Sequence, residues 1–162
     1  MVALRTTLYA VCRPGLIRSD DDGTTWMLIR PGVVRLAVPY RFPDRIYAGD
    51  SRALITSRDG GRMWQTMNTP VGAGSSPYAP TRWEPSPFNG DRLALVLSKW
   101  GFVYTTVDGG ATFRSLHLPY DSHDGNILNV AASFKEPNRL FVHAYSFFPI
   151  DYSFGAQALF KT

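Results

Sequence analysis

The chain has 162 residues and carries 17 Lys and Arg against 13 Asp and Glu, a formal net charge of +4. The Arg residues are scattered singly, so no clustered basic surface for nucleic acid is expected. No apolar run approaches the roughly 18 residues that a membrane-spanning helix requires, and the N-terminus lacks the apolar stretch of a signal peptide. A single cysteine, Cys12, excludes an internal disulfide.

Three segments in chain order share the pattern Ser/Thr-x-Asp-x-Gly-x-x-aromatic. They are residues 19–26 (SDDDGTTW), 57–64 (SRDGGRMW) and 106–113 (TVDGGATF). Each segment follows two short runs rich in β-branched, aromatic and other apolar residues. Because Asp-x-Gly between two such runs is a strong hairpin signal, the pattern predicts a tandem array of antiparallel strands.

The residue types in these segments suit a turn that holds its shape. The Asp carboxylate is expected to accept hydrogen bonds from backbone amides of the turn. The Gly supplies a positive φ, and the aromatic ring packs between neighbouring sheets. A calcium site is not expected, because the ligand ladder of an EF-hand is absent. This structural role is assigned to Ser19, Asp21, Gly23, Thr25, Trp26, Ser57, Asp59, Gly61, Trp64, Thr106, Asp108, Gly110, Thr112 and Phe113.

The three segments resemble the Asp-box, or bacterial neuraminidase (BNR), repeat. That repeat is found in sialidases, some glucan-cleaving glycosidases, photosystem II assembly factors and sortilin-type receptors. The resemblance implies a β-propeller of four-stranded antiparallel blades, with the box between the third and fourth strands. The second segment departs from the pattern, with Met63 where Thr is usual. The relatives are often secreted, periplasmic or lumenal, so the compartment stays open, and no cofactor is implied.

The strands predicted along the chain form an all-β arc of about three to four propeller blades. A blade lacking its first strand covers about residues 6–29, complete blades cover 33–67 and 81–118, and a blade lacking its last strand covers 127–162. Propellers have about 4–8 blades. We therefore expect a segment of a longer propeller, with self-association through exposed blade edges as the alternative.

Alternating strand directions place the three segments on one face of the arc and the long loops on the other. Insertions at 68–80, 119–126 and 146–157 all fall on this second face, the loop face. Long loops on a rigid scaffold are where binding usually occurs, so the loop face is the predicted binding face. Its candidate residues are Arg13, Asp50, Arg52, Lys99, Trp100, Asp121, His123, Asp124, Phe147, Phe148, Asp151, Tyr152 and Phe154.

The favoured function is a non-catalytic scaffold that presents the loop face to a protein or a glycan. The alternative is part of a sialidase-like or glucanase-like glycoside hydrolase whose catalytic residues lie mostly outside this segment. A glycosidase needs two facing carboxylates, and nothing in the spacing of the loop acids pairs them. Arg41 lies in an Arg-Phe-Pro run that faintly resembles a sialidase element. The three His show no metal spacing, so no catalytic or metal-binding residue is assigned. A third interpretation is a fragment with no function of its own.

Overall fold

The computed structural model describes residues 7–49, 53–70, 80–97, 102–116, 125–146 and 155–159, and all regular structure within these ranges is β-strand. The predicted all-β fold is therefore confirmed. None of these residues belongs to a helix that could cross a membrane.

The strands form four antiparallel sheets, each following chain order. The first sheet contains β1 (Leu8–Cys12), β2 (Gly15–Ser19) and β3 (Met27–Pro31). The second contains β4 (Arg35–Ala37), β5 (Ile46–Gly49), β6 (Leu54–Ser57) and β7 (Gln65–Thr66). The third contains β8 (Pro80–Pro85), β9 (Leu93–Leu97), β10 (Phe102–Thr106) and β11 (Arg114–Leu116). The fourth contains β12 (Gly125–Ala132), β13 (Arg139–Ser146) and β14 (Gly155–Leu159).

In the second and third sheets, alternating side chains of a strand contribute apolar residues to the cores on both faces of the sheet. On β5, Ile46 and Ala48 join an apolar core that also contains Leu16 of the first sheet. Tyr47, between them in sequence, joins the core that contains Leu93 of the third sheet. Successive side chains of a strand point to opposite faces, so a continuous apolar run such as β5 indicates a sheet covered on both sides.

Three apolar cores therefore separate the four sheets. The third core joins Val96 and Val103 of the third sheet to Val130, Leu140 and Val142 of the fourth. Each core lies between the faces of two consecutive sheets and not inside one sheet. The sheets thus stack face to face in the order in which they occur along the chain.

Candidate functional site

The three repeated segments form the turns β2–β3, β6–β7 and β10–β11, called the repeat turns below. In the first, one oxygen of Asp21 accepts the Thr25 amide at 2.8 Å, and the other accepts the Thr25 hydroxyl at 2.6 Å. The Ser19 hydroxyl donates to Asp21 at 2.7 Å and accepts the Gly23 amide at 2.9 Å. The Asp21 carboxylate and the Ser19 hydroxyl therefore make four hydrogen bonds within this turn.

The other two repeat turns are held by most of the same bonds. Asp108 accepts the Thr112 amide at 3.0 Å, the Thr106 hydroxyl at 2.7 Å and the Thr112 hydroxyl. Asp59 accepts the Met63 amide at 2.9 Å, and Met63 has no hydroxyl to add a second bond from its side chain. The hydroxyl bond is absent here, Asp59 accepts the Arg62 amide at 3.0 Å, and the turn stays in place.

These bonds fix the charge of the turn carboxylates. The hydroxyl and amide of Thr25 lower the pKa of Asp21 from 3.8 to about 2. The same two groups of Thr112 lower the pKa of Asp108, and the amide of Met63 lowers the pKa of Asp59. Hydrogen bonds to the ionised form stabilise it, so all three carboxylates are anions at neutral pH. Such groups serve as fixed acceptors and have no proton to donate as general acids.

A buried arginine links the second sheet to the third on the face of the repeat turns. Arg45, 5% exposed, donates from Nε to the Gly90 carbonyl at 3.1 Å and pairs with Asp91 at 2.8 Å. The Tyr47 hydroxyl donates to the same carbonyl at 2.6 Å. Arg92 precedes β9 as Arg45 precedes β5, and it donates to Asn138 in the turn between β12 and β13. Equivalent arginines therefore reach forward from one sheet to the next.

Beside Arg45 lies a cavity of about 410 Å³, lined by residues 41–45, Arg58 and residues 89–91. Asp91 also pairs with Arg58 at 3.2 Å, so its charge is shared by two guanidinium groups. Arg41, which the sequence placed near a sialidase element, lies with its guanidinium 5.3 Å from the centre of the Phe88 ring. The charges around this cavity are used largely to join the second and third sheets.

The first strands of the first three sheets line a second cavity of about 470 Å³, called the inner groove below. Its lining is Tyr9, Ala10, Val11, Val34, Arg35, Leu36, Arg82 and Trp83. Arg35 pairs with Gly49 in register and Arg82 with Val96, so the two arginines occupy equivalent positions of the first strands β4 and β8. The groove combines cationic, aromatic and apolar side chains.

Sequence reasoning missed the inner groove. The signal was present, because an arginine stands at the same place in the first strand of both four-stranded sheets. Sequence reasoning also missed Glu84 on β8, whose pKa is raised. Burial raises the pKa of Glu84, and the opposing effect is a hydrogen bond from the Ala132 amide of the fourth sheet.

The structure places only part of the predicted binding face. Arg13 is exposed in the turn between β1 and β2. The remaining candidates lie outside the described residues: Asp50, Arg52, Lys99, Trp100, Asp121, His123, Asp124, Phe147, Phe148, Asp151, Tyr152 and Phe154. Within the described ranges, no group of three or more His, Cys, Asp or Glu side chains could hold a metal ion.

Comparison with known proteins gives structural matches alone. No family model and no curated protein sequence matches the chain. A GH74 xyloglucanase from Xanthomonas campestris is 17% identical with a TM-score of 0.61, over 86% of this chain and 24% of that one. YCF48 from Cyanidioschyzon merolae is 12% identical with a TM-score of 0.61, over 88% of this chain and 46% of that one. YCF48 bound to D1 peptide is 14% identical with a TM-score of 0.50, over 87% of this chain and 59% of that one.

At these identities the likeness shows the fold. Four antiparallel sheets stacked face to face, matched to known β-propellers, make the chain a partial β-propeller arc and confirm the predicted fold class. The chain spans between 24% and 59% of the length of these three structures. A propeller scaffold is thus defined, on which several unrelated functions are known to occur.

Proposed function

We propose that the chain is a non-catalytic propeller module, built from repeats of the Asp-box type, whose loop face binds a protein partner. The proposal rests on the hydrogen bonds that the carboxylates of the chain make. Asp21, Asp59 and Asp108 are held ionised by groups of their own turns. Their hydrogen bonds all lie within four residues, so these carboxylates fix the shape of each turn.

Two other acidic residues of the described ranges also make structural contacts. Asp91 joins the second and third sheets through Arg45. Asp20 pairs with Arg18 at 2.8 Å, and the same Arg18 donates to the Gly60 carbonyl of the second repeat turn at 2.9 Å. A rigid frame is what a binding scaffold requires, because loops on such a frame can present a fixed surface.

The comparisons favour a protein as the partner. One of the similar propellers is YCF48 bound to D1 peptide, so a propeller of this architecture can carry a peptide. The sequence also predicts aromatic residues on the loop face, among them Trp100, Phe147 and Tyr152. Aromatic residues are enriched in protein interfaces.

One observation supports the alternative, a glycoside hydrolase. Glu84 is half-buried on the first strand of the third sheet, and its raised pKa is the property of a general acid. The GH74 xyloglucanase has a similar fold. Against this, the carboxylate of Glu84 accepts the Ala132 amide, which gives it a structural contact with the fourth sheet.

The test compares two faces of the module. Proteins captured by the immobilised chain are identified, and the affinity of the captured protein is then measured with the purified variant Trp100→Ala/Phe147→Ala/Tyr152→Ala. The control variant is Tyr40→Ala/Met63→Ala, which changes side chains 83% and 73% exposed on the repeat-turn face. We expect the first variant to lose binding at least about tenfold and the control to bind as the wild type does, with the far-ultraviolet β-signal of both unchanged.

Equal affinity of the loop-face variant and the wild type would overturn the proposal. The hydrolase alternative is tested with xyloglucan. If the wild type releases reducing ends from xyloglucan and Glu84→Gln does not, the proposed binding function is replaced by a catalytic one.

A further inference from the structure

The turn between β8 and β9 contains the one asparagine of the chain that is followed by glycine. Asn89 precedes Gly90, whereas the other four asparagines precede Thr, Ile, Val and Arg. The backbone nitrogen of the residue after an asparagine can attack the carbonyl carbon of the asparagine side chain. A glycine at that place has no side chain to obstruct the approach. Asn89 is exposed, so water reaches the product of such an attack.

Two hydrogen bonds of the turn favour this reaction. The Asp91 amide donates to Oδ1 of Asn89 at 2.8 Å, which draws electrons from the side-chain carbonyl carbon and holds the side chain folded onto the turn. The Arg92 amide donates to the backbone carbonyl of Asn89 at 3.1 Å. That carbonyl shares a peptide group with the Gly90 nitrogen, so the bond makes the Gly90 N–H more acidic. One bond activates the carbon that is attacked, and the other activates the nitrogen that attacks.

The residues that follow this pair belong to the contact between the second and third sheets. The Gly90 carbonyl accepts Arg45 Nε at 3.1 Å and the Tyr47 hydroxyl at 2.6 Å. The Asp91 side chain pairs with the same Arg45 at 2.8 Å. A change in the backbone between Asn89 and Gly90 therefore moves acceptors that join two sheets.

We propose that Asn89 is a site of spontaneous deamidation that loosens the contact between the second and third sheets. The Gly90 nitrogen bonds to Cγ of Asn89, and the Gly90 proton leaves with the side-chain amide nitrogen as ammonia. Water then hydrolyses the succinimide ring at one of its two carbonyl groups. Opening at Cγ leaves an aspartate at position 89, and opening at the backbone carbonyl leaves an isoaspartate.

The two products differ in their effect on the turn. The aspartate keeps the backbone as it was and places a second carboxylate beside Asp91. In the isoaspartate the chain to Gly90 runs through the former side chain and is one carbon atom longer, so the Gly90 carbonyl is displaced from Arg45 and Tyr47. This inference is independent of the partner proposed for the loop face, because every residue it uses lies on the face of the repeat turns.

The test follows the full chain during storage in mildly alkaline buffer. Peptide mapping by mass spectrometry measures the converted fraction of each asparagine, and a synthetic peptide of residues 84–94 supplies the rate without the folded turn. The control variant is Asn89→Ser, whose hydroxyl can accept the Asp91 amide but cannot form the ring. Thermal unfolding of fresh and stored samples measures the effect on the contact between the sheets.

We expect Asn89 to convert at least as fast in the folded chain as in the peptide, and faster than the other four asparagines. Its conversion should accelerate as the pH is raised, because the attacking nitrogen must lose its proton. If the bond from Tyr47 to Gly90 is lost, the stored wild type should melt about 1–6 °C below the fresh protein. Stored Asn89→Ser should melt at the same temperature as fresh Asn89→Ser.

Three outcomes would overturn the inference. Slower conversion of Asn89 in the folded chain than in the peptide would show that the turn protects the side chain; this comparison uses the wild type alone and does not depend on the stability of the variant. Conversion without a change in Tm would separate the reaction from the contact between the sheets. An equal fall in Tm for stored Asn89→Ser would assign the loss of stability to another residue.

Discussion

Alanine in place of one glycine of each repeat turn tests the face-to-face stacking of the sheets. Gly23, Gly61 and Gly110 occupy the same place in the three turns, with φ of +90°, +93° and +93°. Because an L-residue is strained at such angles, each substitution costs about 1–2 kcal/mol from the backbone alone. This shared cost makes the three variants controls for one another.

The surroundings of the three glycines differ. A Cβ on Gly23 would lie 3.6 Å from Leu8 Cδ1, an ordinary contact. A Cβ on Gly61 would lie 2.5 Å from Cδ1 of Ile29 in the first sheet, where the side-chain end can shift. A Cβ on Gly110 would meet Cε, Cγ and Cβ of the buried Met67. Overpacking costs about 1–3 kcal/mol, so Gly61→Ala should approach the lower value and Gly110→Ala the upper one.

Thermal unfolding followed by circular dichroism measures the difference. For a chain of this size, 1 kcal/mol corresponds to a change in Tm of about 2–4 °C. Gly110→Ala should therefore melt about 2–12 °C below Gly23→Ala, with Gly61→Ala between them. Equal melting temperatures, or the lowest Tm for Gly23→Ala, would refute the packing of the second and third repeat turns on the sheets before them.

Two further predictions concern the same frame. The pKa of Asp21 is lowered to about 2 in the folded chain, so its contribution to stability should be complete above the unfolded value of 3.8 and disappear as the pH falls through 2. The measurement is the difference in urea midpoint between the wild type and Asp21→Asn. A difference that stays constant from pH 6 to pH 2 would contradict this prediction. Tyr47→Phe, which removes the bond to Gly90, should lower the unfolding free energy by about 0.5–1.5 kcal/mol. Tyr9→Phe at the equivalent position should be neutral, because among the described residues its hydroxyl has no hydrogen-bond partner, and equal losses for the two tyrosine variants would disprove the assignment.

The sequence predicted those parts of the structure whose chemistry is local. Ser19 and Asp21 are two residues apart, and their bonds to Gly23 and Thr25 close within four residues. Side-chain type and spacing suffice for such a turn. The all-β class followed in the same way from runs of strand-forming residues flanking each turn.

Contacts between sheets could not be predicted from the spacing of residues. Arg18 reaches the Gly60 carbonyl across 42 residues, and Arg45 reaches Gly90 across 45. Which arginine contacts which turn depends on the angle and register of stacked sheets, and no local pattern contains that information. The inner groove has the same origin, since β1, β4 and β8 come together only when the sheets are arranged around a common centre.

The forward reach of Arg45 and Arg92 has a consequence for how such chains change in evolution. Arg45 of the second sheet donates to the Gly90 carbonyl before β9, and Arg92 of the third sheet donates to Asn138 before β13. A duplicate of the third sheet would therefore carry both the acceptor turn and the arginine donor of this contact. Loss of the turn before β9 alone would leave Arg45 without the Gly90 carbonyl.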